Sequence, residues 1–274
     1  MPSKLPKIKG VSVTMLTKVA QKLKHYTGKA IADYNMIQKG DRVLVCLSGG
    51  KDSFAMAKLL QLLQRRTKNK FILHVVMVDK GFLGEHGAAI RFWLEENGFE
   101  FTILKTNIFD VVKAKERKKD SYCILCSRLR RGHIYTFAKK HGYNKIALGH
   151  HRDDLITSLL MSIFYSGIIS SMPPKLITND KKLIVIRPLS YCQESDIIKY
   201  AAEQNFPLTS KGLCGAENQT RAKTQALIKE LAKNNPKIPS NILNALNNVR
   251  PSQLMDKKLW DFKGLEKLLL PLGK

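Results

Sequence analysis

A short glycine turn between a predicted strand and a predicted helix constrains the fold of this chain more than any other feature. Residues 42–47 form an apolar run of strand length, Ser48-Gly49-Gly50-Lys51-Asp52-Ser53 follows directly, and a helical pattern covers residues 52–63. Glycine lets the backbone turn tightly and present N–H groups to an anion, and the amino end of the next helix adds its positive dipole end. The spacing differs from the G-x-x-x-x-G-K-S/T loop, so it predicts another kind of phosphate-binding loop.

The side chains of residues 48–53, the phosphate loop, suit a nucleotide triphosphate. Lys51 supplies a positive point charge, Asp52 can hold Mg²⁺, and the two serine hydroxyls can donate hydrogen bonds. The loop resembles that of the PP-loop, or N-type, ATP pyrophosphatases. This resemblance implies that Ser48, Gly49, Gly50, Lys51, Asp52 and Ser53 bind ATP, which is cleaved between its α and β phosphates. It also implies that Asp79, at the end of the second predicted strand, contacts the adenosine.

Apolar runs alternate with helical patterns and predict a doubly wound, five-stranded parallel sheet of the Rossmann-like α/β class. The predicted strands cover residues 42–47, 71–78, 101–104, 145–148 and 183–186. The predicted helices cover residues 12–34, 52–63, 85–97, about 123–141 and 194–204. The unalternating run at 71–78 indicates a strand buried on both faces.

Three segments are expected from this pattern. Residues 1–38 form an amino-terminal helical segment, and residues 39–205 form the nucleotide-binding domain with the Cys-x-x-Cys pair. Residues 206–274, with several prolines, form a carboxy-terminal extension of loop and helices that carries Cys214.

The charge balance predicts a polyanionic partner. Lys plus Arg number 47 against 22 Asp plus Glu, a formal net charge of +25, which favours RNA or DNA. Arg128, Arg130, Arg131 and the basic run 113–119 are candidate phosphate contacts. No apolar run approaches the roughly 20 residues that span a membrane, and the basic amino end lacks the apolar stretch of a secretory signal. We therefore expect a cytoplasmic protein without a membrane partner.

Two of the five cysteines, Cys123 and Cys126, lie three residues apart near the start of a predicted helix, so both sulfurs fall on one helix face. The helix start and the following arginines favour thiolates, which suit an iron–sulfur cluster, zinc or redox chemistry. With Cys214, in Gly212-Leu-Cys-Gly215, three cysteines could hold a 4Fe-4S cluster and leave one iron open. Cys46 is expected to be a small buried apolar residue, and Cys192 a core or surface filler.

Several motifs occur in one order with these cysteines. They are Ser-Gly-Gly-Lys-Asp-Ser, Cys-x-x-Cys-Ser-Arg-Leu-Arg-Arg-Gly (123–132), Leu-Gly-His-His-Arg-Asp-Asp (148–154), Met-Pro-Pro-Lys-Leu (172–176), Arg-Pro-Leu (187–189) and Leu-Cys-Gly (213–215). Together they resemble the tRNA 2-thiocytidine synthetase family, the tRNA-cytidine(32) 2-sulfurtransferases, over about residues 15–235.

This family resemblance implies ATP, Mg²⁺ on Asp52 and an oxygen-sensitive 4Fe-4S cluster on Cys123, Cys126 and Cys214. It implies 2-thiocytidine in tRNA as the product, with Lys51, Asp52 and the three cysteines as catalytic residues. It also implies a cysteine desulfurase as sulfur donor and a homodimer. At the end of the fourth strand His150 and Asp153 are candidate contacts to ATP or RNA, and the expected ATP contacts there are Gly149, His151 and Asp154.

The chain departs from the family pattern at three places. Thr157-Ser158 stands where the family usually has Glu-Thr, Ser210-Lys211-Gly212 precedes Leu213-Cys214 where it has Pro-Cys-Asn, and Glu217 replaces the usual Gln.

Three other functions compete with cluster-dependent thiolation. A PP-loop ligase of the lysidine-synthetase type needs no cluster. A thiolase could carry sulfur as a persulfide on Cys126 or Cys214 without iron. A basic redox-sensing RNA-binding protein would bind tRNA without releasing pyrophosphate.

Overall fold

The computed structural model describes residues 16–81, 84–115, 122–209 and 219–270. Its sheet has the strand order β3-β2-β1-β4-β6-β5, in which every pair is parallel except β5 with β6. The strands are β1 (Arg42–Leu47), β2 (Ile72–Asp79), β3 (Phe101–Lys105), β4 (Lys145–Ala147), β5 (Lys175–Ile177) and β6 (Ile184–Ile186). The α/β fold and the parallel arrangement are confirmed.

The predicted count of five strands was wrong, because the antiparallel edge strand β5 had no sequence signal. Strand β5 has three residues, and Leu176 and Ile177 expose about half of their surface. A short edge strand with exposed side chains lacks the apolar run by which a buried strand is identified.

Nine α-helices are found in the described residues. They are α1 (Lys18–Asp33), α2 (Lys51–Arg66), α3 (Gly84–Glu96), α4 (Ile108–Lys115), α5 (Tyr122–Lys140), α6 (Arg152–Ser166), α7 (Glu194–Glu203), α8 (Gln219–Asn234) and α9 (Ile238–Ala245). Helices α1, α2, α3, α5 and α7 match the predicted helices to within a few residues where both are described. Helices α4 and α6 lie where the sequence pattern predicted none.

The core forms two layers, one on each face of the sheet. On the first face Val43, Val45 and Leu47 of β1 pack with helices α1, α2 and α7. On the second face Leu44 and Cys46 pack with helices α4 and α5, and we call this the α5 face. Alternate residues of β1 therefore enter different layers, as in a doubly wound sheet.

Neighbouring strands β1, β4 and β6 end at the same edge of the sheet, the carboxyl edge. Val45 is opposite Ala147, and Ala147 is opposite Ile186. The chain leaves β1 towards β2 on one side and leaves β4 towards β6 on the other. This topological switch point is where open α/β sheets bind ligands.

Helices α8 and α9 pack against α6 and each other. In the described part of the chain, no helix combines the length and apolar character needed to cross a membrane.

Candidate functional site

The phosphate loop adopts a conformation that only glycine tolerates at Gly49. Its φ angle is +88°, and the backbone N–H of Thr209 donates a hydrogen bond to its carbonyl oxygen at 3.0 Å. A Cβ atom at Gly49 would lie 2.5 Å from Thr209 Oγ1, closer than two atoms can approach without displacement. The chain that leads towards Cys214 is thus fastened to the phosphate loop.

Ser53 organises the loop from inside. Its Oγ accepts the Ser48 N–H at 3.0 Å, lies 3.1 Å from Ser48 Oγ and donates to the Gly50 carbonyl at 2.8 Å. Ser53 is buried, so its hydroxyl is committed to the loop backbone. Sequence reasoning expected both serines to donate to a ligand, whereas these contacts leave Ser48 as the more accessible hydroxyl.

Lys51 lies between two carboxylates. Its Nζ is 3.3 Å from Asp52 Oδ1 and 3.0 Å from Glu194 Oε1. Although partial burial lowers it, the pKa of Lys51 is held above its ordinary value by these two negative charges. The backbone N–H of Glu194 donates to Asp153 Oδ2 at 2.8 Å, so the β4–α6 turn fixes the start of α7. Sequence reasoning missed Glu194, although an acidic residue at the start of a predicted helix is a detectable signal.

His151 lies buried among three carboxylates. Its Nε2 is 3.7 Å from Asp52 Oδ1 and 3.5 Å from Asp154 Oδ2, and its Nδ1 is 3.8 Å from Asp153 Oδ2. Asp154 also accepts the His151 N–H at 3.1 Å and forms an ion pair with Arg221 of α8. The structure therefore brings together Asp52, His151 and Asp154, which sequence analysis assigned to one site, and adds Arg221.

One oxygen of Asp52 accepts no hydrogen bond from the described residues, although it lies near Lys51 and His151. Its Oδ1 is buried and accepts no hydrogen bond among the described residues. Burial raises the pKa of Asp52, while the nearby His151 and Lys51 oppose that shift. In Asp154 the opposing charges of His151 and Arg221 outweigh burial and lower the pKa. A buried carboxylate oxygen that accepts no hydrogen bond, beside a phosphate loop, fits a divalent cation.

Gly149 permits close packing of the β4–α6 turn against the start of α2. A Cβ atom there would lie 3.1 Å from both the Asp52 carbonyl carbon and the Ser53 nitrogen. This contact holds His151 close to Asp52. Asp79 ends β2 at the carboxyl edge, where its Oδ1 accepts the Gly81 N–H at 2.8 Å.

Of the three cysteines assigned to the cluster, only Cys126 has a described side chain. It is free, half-buried and packed against the core of the α5 face. Cys123 lies in the first turn of α5, but its side chain is outside the described residues, as is the whole of Cys214. In the ranges that the structure covers, no three His, Cys, Asp or Glu side chains are grouped to hold a metal ion.

Described residues on either side of segment 210–218 nevertheless contact the phosphate loop and the β4–α6 turn. Thr209 hydrogen-bonds to Gly49, and Arg221 pairs with Asp154.

The candidate RNA contacts differ in exposure. Arg128, Arg131 and Lys113 are exposed and Arg130 is half-buried, while residues 116–119 lie outside the described chain.

We predict that His150 makes the stability of the chain depend on pH. Burial, and then the charge of Arg187, lower the pKa of His150 to about 4 from 6.5, although Asp154 opposes this. Between pH 4 and pH 6.5 the unfolded chain binds more protons at this histidine than the folded chain does. The free energy of unfolding therefore falls as the pH drops from 6.5 to 4, by up to about 1.4 kcal/mol per pH unit from this residue. Urea unfolding of His150→Asn should show a shallower pH slope than wild type.

The exposed His133 of α5 provides the control. His133→Asn should keep the wild-type slope. Equal slopes for the wild type and His150→Asn would contradict the assignment.

A mostly parallel sheet whose central strand ends in a glycine loop, followed by a lysine and a carboxylate at a helix start, defines a nucleotide-binding α/β protein. A family model described as the PP-loop domain matches residues 15–229. The tRNA-cytidine(32) 2-sulfurtransferase of Legionella pneumophila strain Paris is 55% identical over 249 residues, 90% of this chain and 88% of that protein. The protein of the same name from Coxiella burnetii strain CbuG_Q212 is 52% identical over 249 residues, 90% of this chain and 97% of its own length. The chain therefore belongs to the tRNA-cytidine(32) 2-sulfurtransferase family of PP-loop proteins.

A solved structure shares the fold. The U34-tRNA thiolase of Methanococcus maripaludis, solved with its 4Fe-4S cluster, superposes with a TM-score of 0.67 at 21% identity. The match covers 85% of this chain and 80% of that one.

Proposed function

We propose that this chain is an ATP-dependent tRNA sulfurtransferase that converts cytidine 32 to 2-thiocytidine. The observation that carries the proposal is the arrangement at the carboxyl edge, where the phosphate loop lies against His151 and Asp154. The 55% identity to a tRNA-cytidine(32) 2-sulfurtransferase supports the substrate. The net charge of +25 supports an RNA partner.

ATP binds at the phosphate loop in this proposal. The left-handed conformation of Gly49 makes the tight turn of the loop, and the start of α2 adds backbone N–H groups. Lys51 neutralises phosphate charge, and Asp52, whose buried Oδ1 accepts no hydrogen bond from the described residues, would hold Mg²⁺, which would supply further positive charge to the phosphates. Asp79, at the end of β2, is placed for the adenosine.

The base is activated before sulfur enters. Cytidine O2 attacks the α-phosphate, the bond between the α and β phosphates breaks, and pyrophosphate leaves with its charge neutralised by Lys51. The oxygen bound to C2 is now part of an adenylate, so AMP can leave when sulfur attacks C2. The positive charge near the loop stabilises the negative charge on the phosphate oxygens as the bond between the α and β phosphates breaks.

Cys123, Cys126 and Cys214 fit the ligand set of a 4Fe-4S cluster. Cys126 is a free thiol on α5, and the described residues Thr209 and Arg221, which come before and after Cys214 in the chain, contact Gly49 and Asp154. When bound, such a cluster supplies sulfur as a nucleophile. We further propose that a cysteine desulfurase replenishes the sulfur, and that the protein acts in the cytoplasm as a homodimer.

The test is an anaerobic reaction of the iron-loaded protein with ATP, Mg²⁺, sulfide and an unmodified tRNA transcript. We expect pyrophosphate and AMP to form with one sulfur in the RNA, located at position 32 by mass spectrometry of digested tRNA. A transcript with uridine at position 32 is the control and should gain no sulfur. Pyrophosphate release with an amine joined to the base would indicate a ligase instead.

A further inference from the structure

Arg187 carries a buried positive charge that forms no ion pair with the described residues. It follows β6 directly and is only 8% exposed. Its N–H donates to the Pro174 carbonyl at 2.8 Å, and Nη1 donates to the Pro173 carbonyl. Its Nε is buried without a hydrogen-bond partner, and no described carboxylate forms an ion pair with it.

Arg130 and His150 are unsatisfied in the same way. Arg130 of α5 is half-buried, its Nε has no partner among the described residues, and its charge acts on Cys46 near the end of β1. His150 has a buried Nδ1 without a partner, and Arg187 is the charged group that most affects it.

Strand register places Arg187 and His150 on the α5 face of the sheet, the face that helix α5 with Arg130 covers. Ile186 belongs to the first face of the sheet, so the next residue, Arg187, turns to the α5 face, as Val185 does. There its charge acts on Tyr135 of α5. Gly149 packs towards α2, so His150 turns to the α5 face as well.

Physical chemistry requires an anion at this place. A buried guanidinium whose charge has no counterion is strongly unfavourable, and a single carbonyl contact does not neutralise that charge. The planar fork of arginine matches the oxygens of a phosphate, and a neutral histidine can donate one further hydrogen bond without adding charge. Within the described chain, the carboxylates that could have neutralised this site are taken: Asp154 pairs with Arg221, and Asp153 pairs with Arg152.

We propose that Arg130, His150 and Arg187 form a second phosphate site, separate from the phosphate loop, for a backbone phosphate of the substrate RNA. The assignment to RNA rests on the proposed function. RNA is assigned rather than ATP because of the side of the sheet. The phosphate loop leads into α2 on the first face, whereas this cluster lies on the α5 face. Arg130 is four residues after Cys126, about one helical turn away on the same helix face. A phosphate held here places its nucleotide between the ATP site and the cysteine helix.

Binding of an unmodified tRNA transcript without ATP tests the site, with dissociation constants measured over a range of salt concentrations. Arg130→Gln and Arg187→Lys should each weaken tRNA binding about tenfold at physiological salt. Arg130→Gln should also reduce the slope of log Kd against log salt by about 1. Arg187→Lys keeps the charge, so its slope should change little, because lysine lacks the planar fork. Binding of ATP should stay at the wild-type value for both.

Arg66 provides the matched control, because it is an exposed arginine at the far end of α2, away from the carboxyl edge. Arg66→Gln should change tRNA affinity by less than Arg130→Gln or Arg187→Lys does. If Arg187→Lys fails to fold because it loses the Nη1 contact to the Pro173 carbonyl, Arg130→Gln on the half-buried helix surface decides the question.

Two results would overturn the site. Unchanged tRNA affinity and salt slope in Arg130→Gln would show that no RNA phosphate binds there. A loss of ATP affinity equal to the loss of tRNA affinity would assign the cluster to the adenylate. Because binding is measured without turnover, a wild-type protein that binds tRNA but incorporates no sulfur would count against the proposed function alone.

Discussion

Replacing Gly49 by alanine is expected to reduce ATP-dependent pyrophosphate release about 100-fold, because the loop that holds the phosphates must move. The φ angle of +88° strains any side chain, and the new Cβ would stand 2.5 Å from Thr209 Oγ1. Relief of that contact displaces either the phosphate loop or the segment that follows Thr209. The measurement is the tRNA-dependent release of pyrophosphate, together with the free energy of unfolding.

Gly167 separates backbone strain from this steric conflict. It ends α6 with a φ angle of +63°, and a Cβ atom there would meet nothing within 4 Å. Gly167→Ala should cost about 1–2 kcal/mol of stability, the usual penalty of the left-handed conformation, and keep its activity. Gly49→Ala should cost more. Wild-type pyrophosphate release in Gly49→Ala would show that the loop does not position ATP.

A companion variant tests the role of Thr209. Combining Gly49→Ala with Thr209→Ser removes the methyl group that lies 2.9 Å from the new Cβ, but it leaves the hydroxyl and the strained φ angle. Only partial recovery of activity is therefore expected.

The parts of the fold that sequence predicted are those with strong local signals. Strands β1 and β2 are apolar runs because both faces of a parallel sheet are covered, and the phosphate loop connects a strand and a helix through two glycines. Such patterns depend only on neighbouring residues. Edge strand β5 and helix α4 escaped because a short element has too few residues to show a period.

Sequence motifs named several residues that the structure brings together, but not the contacts between them. Motifs indicated Lys51, Asp52, His151 and Asp154 separately. The partners that fix them, Glu194 and Arg221, come from elements about 140 and 70 residues away in the chain. Such pairing depends on which strands lie side by side, and one sequence without the fold does not contain that information.

The three cysteines with described side chains fall into two groups, buried and half-buried. Burial raises the pKa of both Cys46 and Cys192 to about 12, so these side chains stay protonated and are poor ligands. Cys192 lies in the core, with its Sγ 3.5 Å from Thr27 Oγ1. Cys126 is half-buried beside arginines on a helix. The prediction that Cys46 is a buried apolar residue is confirmed.

This division gives the second large expected effect. Cys126→Ala and Cys214→Ala should each lose the iron and the broad visible absorption of anaerobically purified protein, and both should abolish sulfur incorporation into tRNA. Binding of ATP should remain, because the phosphate loop is intact. Iron and sulfide analysis, the absorption spectrum and mass spectrometry of tRNA provide the measurements.

Cys192→Ala is the matched control, since it also removes one thiol. It should keep full iron content and thiolation, and cost only about 1 kcal/mol of stability for the small cavity that it leaves. Iron that persists in Cys126→Ala and Cys214→Ala would disconnect these cysteines from a cluster. Wild-type protein that thiolates tRNA without iron, but fails after either substitution, would instead identify a persulfide carrier, because a persulfide needs the same thiols and no metal.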